Sequence, residues 1–264
     1  MSAIYQVDAF ADKLFRGNPA AVCPLTTWLE DSTMQSIALE NNLSETAFFV
    51  AKEEANYELR WFTPISEVDL CGHATLASAH VLFEHLQIPS NKVTFHTKSG
   101  PLIVRRIVPG HYAMDFPSDL PIQVKNQELS AQITRALDIK PLEIYQGKDD
   151  ILAILPTQKD ILNLQPHFPL IKKLPARGLI TSAESEIMDF CSRCFYPKYG
   201  INEDPVTGSA HTLLTPYWTV RKKKNWLKAE QLSSRKGKLD CIFKGQRTML
   251  IGSATTFLEG SIKI

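Results

Sequence analysis

Residues 69–86 read DLCGHATLASAHVLFEHL, and this stretch decides the fold. From Gly72 onward its apolar residues occur nearly all the way round a helix, and a helix that is apolar on every face is normally buried. The segments around it are shorter and follow a two-residue period. In residues 57–61, for example, apolar and charged residues alternate as they do in a half-buried strand. We therefore predict an α+β fold in which a curved sheet wraps around one central helix.

A second stretch, DPVTGSAHTLLTPYWTV at residues 204–220, predicts another apolar helix from Gly208 onward, which Pro216 should kink. Its start, TGSA, resembles the start CGHA of the first helix, and the two lie about half the chain apart. We interpret this match as a weak internal duplication, with two halves that each fold around a central helix. Pro117 and Pro121, with the polar residues between them, mark the expected domain junction.

Two further local patterns give predictions. Ser32 and Gln35 fit an S-x-x-Q capping box, which would open a helix that runs to about Asn42. A Pro-rich stretch extends to Pro175, and two short strands, 249–253 and 254–258, are expected to finish the sheet.

Composition excludes several classes of protein. The 264 residues carry 29 basic and 28 acidic side chains, and this net charge of +1 gives no support for a nucleic-acid or membrane-surface binder. With 44% hydrophobic and 22% charged residues, the chain is typical of a globular protein and not of a disordered one. The five cysteines are an odd number, and we recognise no secretory segment. We therefore expect a reducing, cytoplasmic location.

Glu45 is the first candidate for chemistry. It lies in Ser44-Glu45-Thr46, where a predicted helix gives way to a buried strand with Phe48 and Phe49. Partial desolvation there would raise the pKa of the carboxyl toward the range useful for proton transfer. The alternative is an exposed loop acid or a helix cap.

The two glycine-led helix starts form the second candidate. The first N–H groups of a helix lack internal partners and the macrodipole makes that end positive, so Gly72 and Gly208 could admit a carboxylate. Alternatively, they are tight turns before buried helices. His73 could bond a ligand oxygen or satisfy a local group, and Asp204 could contact a ligand amine or cap a turn.

Other patterns favour structural roles. Cys71 could be a helix-terminus thiolate, but a buried small residue is the more frequent explanation. Cys191 and Cys194 form a C-x-x-C pair with no second pair at metal spacing, so we predict no metal site. Asp204, Ser209 and His211 could suggest a hydrolase triad, but no G-x-S-x-G motif accompanies them. Without a P-loop lysine or G-x-G-x-x-G motif, a nucleotide cofactor is not expected.

Taken together, several segments make the chain resemble the PhzF-like (phenazine biosynthesis-like) family, which has the diaminopimelate epimerase fold. The segments occur in family order and are Asp8-Ala9-Phe10, Gly17-Asn18-Pro19-Ala20-Ala21-Val22, Asn42-Leu43-Ser44-Glu45-Thr46-Ala47-Phe48, Asp69-Leu70-Cys71-Gly72-His73-Ala74-Thr75 and Glu203-Asp204-Pro205-Val206-Thr207-Gly208-Ser209-Ala210-His211.

The resemblance implies two pseudo-symmetric halves, each a strongly curved, mostly antiparallel sheet around a central buried helix, with the active site in the cleft between them. We place the first half at residues 1–117 together with a returning strand at about 254–264, and the second at 118–253. The resemblance also implies a homodimer without a cofactor or metal. It implies that Glu45 is the general acid/base and that the site of a small carboxylate or amino-acid-like substrate is lined by Ser44, Gly72, His73, Asp204, Gly208 and Ser209. We add His73 and Asp204 as assisting catalytic residues and Thr207 as a further substrate-binding residue.

One departure from the related epimerases bears on mechanism. Those enzymes use two cysteines, one at each central helix start, as opposed acid and base. Here Cys71 occupies the first position but Thr207 the second, and a hydroxyl is too weak an acid to replace a thiol. We therefore expect a single-base isomerase that relocates a proton through Glu45. The alternatives are a retired enzyme that serves as a small-ligand sensor or interaction module, and an epimerase that pairs Glu45 with Cys71.

Overall fold

The computed structural model describes residues Met1–Ile264. They divide into two compact units, Met1–Asp115 with Leu250–Ile264, and Phe116–Met249. The strands are β1 (Ser2–Ala9), β2 (Asn18–Leu25), β3 (Glu45–Glu53), β4 (Asn56–Phe62), β5 (Glu67–Val68), β6 (Lys92–Thr97), β7 (Gly100–Val108), β8 (His111–Pro117), β9 (Ile122–Gln123), β10 (Glu143–Gln146), β11 (Ile151–Ile154), β12 (Leu179–Glu184), β13 (Phe190–Tyr196), β14 (Ile201–Asp204), β15 (Trp226–Gln231), β16 (Gly237–Lys244) and β17 (Arg247–Ile262). The helices are α1 (Asp31–Asn41), α2 (Gly72–His80), α3 (Gln127–Leu137), α4 (Gln158–Asn163), α5 (Phe168–Ile171) and α6 (Gly208–Lys222).

The first unit is a closed sheet around α2. Going round the sheet, β1 pairs with β2, β2 with β3, β3 with β4, β4 with β6, β6 with β7, β7 with β8, β8 with β17, and β17 with β1. The β2–β3 and β4–β6 pairs are parallel. Closure leaves no unpaired sheet edge along this ring, and every residue of α2 after Gly72 is buried inside it. The all-round apolar pattern therefore predicted the central helix correctly.

A partly buried series of hydrogen bonds ties the far end of this helix to the sheet. After α2 the backbone makes one π-helical turn, Val81–His85. The hydroxyl of Tyr112 donates to Glu84 (2.9 Å) and so accepts from Nδ1 of His80 (2.9 Å). Nε2 of His80 must then accept from the hydroxyl of Thr256 (2.9 Å), which in turn accepts from Nε2 of His85 (2.7 Å). Tyr112 is in β8 and Thr256 is in β17. These hydrogen bonds therefore tie the helix to the point where the sheet closes.

The second unit also surrounds a buried helix. Its sheet runs from β9 through β10, β11, β12 and β13 to β15 and β16, with β14 paired to β13. Helix α6 is buried from Ala210 to Trp218 except at Thr212. The Trp218 ring stacks on Phe190 at 5.6 Å, and its indole N–H donates to the Ser182 hydroxyl (2.9 Å). Helices α3, α4 and α5 contribute to a separate apolar cluster of this unit.

Several local predictions were wrong. The S-x-x-Q capping box at Ser32 does not form, because the carbonyl of Glu30 accepts from Met34 (3.1 Å) and the helix begins at Asp31. The Gln35 amide instead donates to the carbonyl of Thr63 (2.9 Å), a tertiary contact. The Pro-rich stretch contains two short helices, α4 and α5, that we did not predict. The two expected final strands are a single strand, β17, since no turn residue separates them.

The observed end of α6 and the observed division between the two units can be compared with the predictions. Helix α6 continues through Pro216 to Lys222. The sequence placed the division between the halves at 117/118 and 253/254, and the structure divides at 115/116 and 249/250. None of the helices combines the length and apolar character that crossing a membrane requires.

Candidate active site

Glu45 is the first residue of β3, where it pairs with Ala20 of the parallel strand β2. Helix α1 ends just before it, through Asn42 in the left-handed conformation. The following residues of β3 are buried, among them Phe48. The Glu45 side chain is only 12% exposed, so the strand start places a carboxylate at the edge of an apolar core, as the sequence predicted. Ser44, directly before it, is half-buried.

His73 lies against this carboxylate. It is the second residue of α2, its side chain is 6% exposed, and its Nε2 atom is 3.1 Å from Oε2 of Glu45. On the other side of the ring, Nδ2 of Asn18 is 3.2 Å from Nδ1. An amide nitrogen only donates, so a singly protonated ring accepts at Nδ1 and carries its proton on Nε2, toward Glu45. The arrangement lets carboxylate and imidazole share a proton.

Cys71 precedes the helix and lies beside the same ring, with Sγ 3.5 Å from Nδ1 of His73. Burial, and then the charge of Glu45, raise the pKa of the Cys71 thiol to about 11, so this thiol is neutral at pH 7. Burial also disfavours a charge on His73, but the acidic groups of Cys71 and Glu45 outweigh it and raise the pKa of His73 well above its ordinary value. Because Cys71 is uncharged at pH 7, Glu45 is the group that stabilises the imidazolium there.

These three residues also deserve consideration as metal ligands, because one donor atom from each lies within 4.8 Å of the others. However, Cys71 contacts Nδ1 of the His73 ring and Glu45 faces Nε2. The contacts point to opposite sides of the imidazole, so they do not converge on one ion. The arrangement suits proton transfer better than coordination.

A second group of predicted residues lies in the other unit, at the start of α6. The hydroxyl of Thr207 donates to Oδ2 of Asp204 (2.5 Å) and accepts from Nε2 of Gln231 (3.2 Å). Gln231 also donates to the carbonyl of Asp204 (2.7 Å) and accepts from the backbone N–H of Thr207 (2.9 Å). With its one proton donated to Asp204, the Thr207 hydroxyl is a structural group of the turn that opens the helix.

The remaining residues of this group bear on the alternatives. His211 donates from Nδ1 to the carbonyl of Thr207 (2.7 Å), and burial lowers its pKa to about 4. It does not contact Asp204 or Ser209 through any hydrogen bond, so there is no hydrolase triad. Gly208, the first residue of α6, is buried, and Ser209 next to it is half-buried and accepts a hydrogen bond from Arg177 (3.1 Å). Gly72 holds the equivalent position at the start of α2.

The C-x-x-C pair has a structural place. Cys191 and Cys194 lie three positions apart in β13, so their side chains point to opposite faces of the sheet. Both are buried free thiols, and Cys191 belongs to the apolar cluster of the second unit. Their spacing, which in a loop would suit a metal, here separates them.

The structure thus forms two groups, Glu45 with Cys71 and His73 in the first unit, and Asp204 with Thr207, Gly208 and Ser209 in the second. The sequence did not identify three polar residues that hold these groups: Asn18, Arg177 and Gln231. No sequence pattern marked Gln231, because the burial of the last three residues of β15, which makes its polar side chain need partners, is seen only in the structure.

Comparisons with known proteins agree with this architecture. The family model described as phenazine biosynthesis-like protein, PhzC-PhzF, matches residues 7–260. An uncharacterized isomerase of Pseudomonas aeruginosa is 49% identical over 99% of this chain and 98% of its own. Phenazine biosynthesis-like domain-containing protein 1 of Mus musculus is 40% identical over 98% of each chain. The crystal structure of a PhzF family protein from Enterococcus faecalis covers 100% of both chains at 44% identity, with a TM-score of 0.95. The chain therefore belongs to the PhzC-PhzF, phenazine biosynthesis-like family.

Proposed function

We propose that this protein is an isomerase that relocates a proton on a small carboxylate or amino-acid-like substrate, with Glu45 as the general acid/base. The observation that carries the proposal is the 3.1 Å approach of the Glu45 carboxylate to His73 Nε2 in a largely buried setting. The name of the bacterial relative, an uncharacterized isomerase, supports the same class of reaction.

The reaction would proceed by removal and return of one proton. Glu45 takes a proton from a carbon next to an electron-withdrawing group, and the bonding electron pair moves into the conjugated system of the substrate. Glu45, now protonated, returns the proton at another carbon. Since a proton leaves and a proton returns, the step needs no oxidant or reductant. A positioned general base of this kind typically contributes about 10²–10⁴-fold in rate.

His73 would assist Glu45 without touching the carbon. As an imidazolium it stabilises the carboxylate before the transfer, and as a neutral ring with its proton on Nε2 it still faces the carboxyl oxygen. Asn18 would keep the ring in this orientation. In the second unit, the first N–H groups of α6, beside Asp204 and Thr207, would by themselves suit a carboxylate.

The test is deuterium incorporation. We would incubate wild-type protein, Glu45→Gln and the matched control Glu53→Gln in heavy water with pooled amino acids and cyclic carboxylic acids. The mass of each compound is then measured by mass spectrometry. Glu53 is an exposed acid at the other end of β3, so its loss leaves the site intact. We expect label in one class of compound with wild type and Glu53→Gln, and about 10²–10⁴-fold slower labelling with Glu45→Gln.

Two outcomes would contradict the proposal. Full labelling by Glu45→Gln would remove Glu45 from the chemistry. A compound that binds wild type tightly but is never labelled would favour the alternative of a ligand sensor that retains the fold.

A further inference from the structure

Two histidines, His80 and His85, point to one oxygen atom at the end of the central helix of the first unit. Nε2 of His80 lies 2.9 Å and Nε2 of His85 lies 2.7 Å from the hydroxyl oxygen of Thr256, and the two ring centroids are 5.9 Å apart. His80 is 6% exposed, and the side chain of His85 is 19% exposed. All three residues belong to the first unit. Two imidazole nitrogens thus converge on one point in a largely buried setting.

The π-helical turn after α2 makes this convergence possible. In a regular α-helix, positions five apart differ by about 140° around the axis, so His80 and His85 would point in different directions. Here the N–H of Leu86 donates to the carbonyl of Val81 (3.0 Å), five residues earlier, and the wider turn brings the two rings together. Such turns are rare in proteins and frequently occur at functional sites. The helix therefore departs from regular geometry where the two rings are aligned.

An acidic side chain lies behind each ring. Nδ1 of His80 donates to the hydroxyl of Tyr112 (2.9 Å), which donates to Glu84 (2.9 Å). Nδ1 of His85 lies 3.4 Å from Oε2 of Glu259. A histidine that binds a metal through one ring nitrogen almost always has a polar partner at the other, and this partner fixes the orientation of the ring. Both rings therefore have the outer contacts that are typical of metal ligands.

The protons of these groups do not suffice for every contact. Because Nδ1 of His80 carries the proton of that ring, Nε2 accepts from Thr256, and Thr256 in turn accepts from Nε2 of His85. A neutral His85 then has no proton on Nδ1, which faces the carboxylate of Glu259, itself only an acceptor. The series is thus one proton short, and either a second proton on His85 or another cation must complete it. A metal ion bound by the two Nε2 atoms would leave both Nδ1 atoms protonated, so every contact would be satisfied.

We propose that His80 and His85 form a binding site for a divalent transition metal such as Zn²⁺, with both Nε2 atoms and the hydroxyl oxygen of Thr256 as ligands. Imidazole is a preferred ligand of zinc, and three protein ligands leave its fourth position to water. On binding, the proton of His85 moves from Nε2 to Nδ1, where it is donated to Glu259. The site is separate from the proposed isomerase chemistry, because His80 ends α2 whereas His73 lies in its first turn. The metal would fasten β17, the strand that closes the sheet, to the central helix.

The test is titration with ZnCl₂, followed by isothermal titration calorimetry. Wild type and the matched control His111→Gln, which loses an exposed imidazole of β8, should each bind one Zn²⁺ per chain with the same affinity. Glu259→Ala removes only an outer contact at a surface position and should weaken zinc binding about 10–100-fold. His80→Gln and His85→Gln each remove a ligand and should weaken it further. Because a metal bound only by the folded chain stabilises it, zinc should also raise the urea midpoint of wild type but not that of His85→Gln.

A second pair of measurements separates this site from the group formed by Glu45, Cys71 and His73. Cys71→Ala should bind zinc as tightly as wild type does. Co²⁺, used as a coloured substitute for Zn²⁺, should show visible absorption bands without the near-ultraviolet sulfur-to-metal band that a Cys71 ligand would add. Glu259→Ala alters an exposed side chain, so it tests the proposal even if His80→Gln fails to fold.

Three results would overturn the proposal. The first is that wild type binds no zinc, in which case ¹⁵N NMR should show both nitrogens of His85 protonated, and a proton and not a metal completes the series. The second is that His85→Gln and Glu259→Ala bind zinc as tightly as wild type. The third is that Cys71→Ala abolishes zinc binding, which would assign the metal to the other group.

Discussion

Nε2 of His73 and Oε2 of Glu45 lie 3.1 Å apart, and the contact joins the start of α2 to the start of β3. The two residues are far apart in the sequence, so the contact is a tertiary one. Their approach depends on the closed sheet that surrounds α2, which brings the first turn of the helix to the strand beside β2. The contact therefore depends on the folding of the first unit.

His73→Phe should slow deuterium exchange about 10–100-fold, because Glu45 loses the group that shares its proton. It should also change the pH dependence of stability. The pKa of His73 is raised in the folded state, so the pair stabilises the fold fully below the unfolded pKa of about 6.5 and loses this contribution as pH rises through the folded pKa. Urea unfolding between pH 5 and 9 checks this, and an unchanged pH profile in His73→Phe would contradict it.

Gln231→Leu should destabilise the turn that opens α6. It leaves the N–H of Thr207 and the carbonyl of Asp204 buried without their partner, at a cost of about 1–3 kcal/mol for each group. We expect a lower free energy of unfolding and weaker substrate binding. Gln123→Leu, at an exposed position of β9, is the control and should change neither. Equal stability of the two variants would show that the Gln231 contacts are dispensable.

All five cysteines should resist alkylation in the native protein at pH 7.5. Each is buried, and burial raises the pKa of Cys71 to about 11 and that of Cys23, Cys191 and Cys241 to about 12. Iodoacetamide followed by mass spectrometry should modify none before denaturation and all five after it. Cys71→Ala should keep most of the exchange activity. Rapid modification of Cys71 with loss of activity would instead favour the epimerase that pairs it with Glu45.

Acid should weaken the fold through His80. Burial lowers its pKa to about 4, so below the unfolded pKa of about 6.5 the unfolded chain binds the proton more readily, and stability falls as pH drops from 6.5 toward 4. The difference amounts to about 3 kcal/mol at pH 4. His80→Gln should flatten this part of the pH profile, whereas His111→Gln, at an exposed position, should not. A profile that His80→Gln leaves as steep as wild type would assign the acid sensitivity elsewhere.

The central features of the fold could be predicted because they depend on local pattern. Helices α2 and α6 could be predicted as segments that are apolar on all faces. Glu45 could be recognised as an acid between a helix and a buried strand. The capping box at Ser32 does not form because the helix already begins at Asp31, and the Gln35 side chain donates to the carbonyl of Thr63, 28 residues away. Propensity describes the isolated segment, and a tertiary hydrogen bond overrides it.

The residues that support the candidate site could not be predicted from sequence patterns. Asn18 contacts His73 across 55 positions, Arg177 contacts Ser209 across 32, and Gln231 contacts Thr207 across 24. Each is an ordinary polar residue, and its partner is decided by which strands pair. The sequence could name the candidate site residues, but the residues that support them are identified only once the strands are paired.

Strand β17 has a consequence for how the protein is made. Its residues from Leu250 onward belong to the first unit and lie between β1 and β8, so they are synthesised after the whole of Phe116–Met249. At about 5–20 residues per second, the ribosome needs roughly 7–27 s to translate that interval. Throughout it the nascent first unit exposes two open strand edges, on β1 and on β8, each able to pair with another chain. The half that carries Glu45 and His73 is thus synthesised first but completed last. During translation, its two strand edges need to be protected from pairing with other chains.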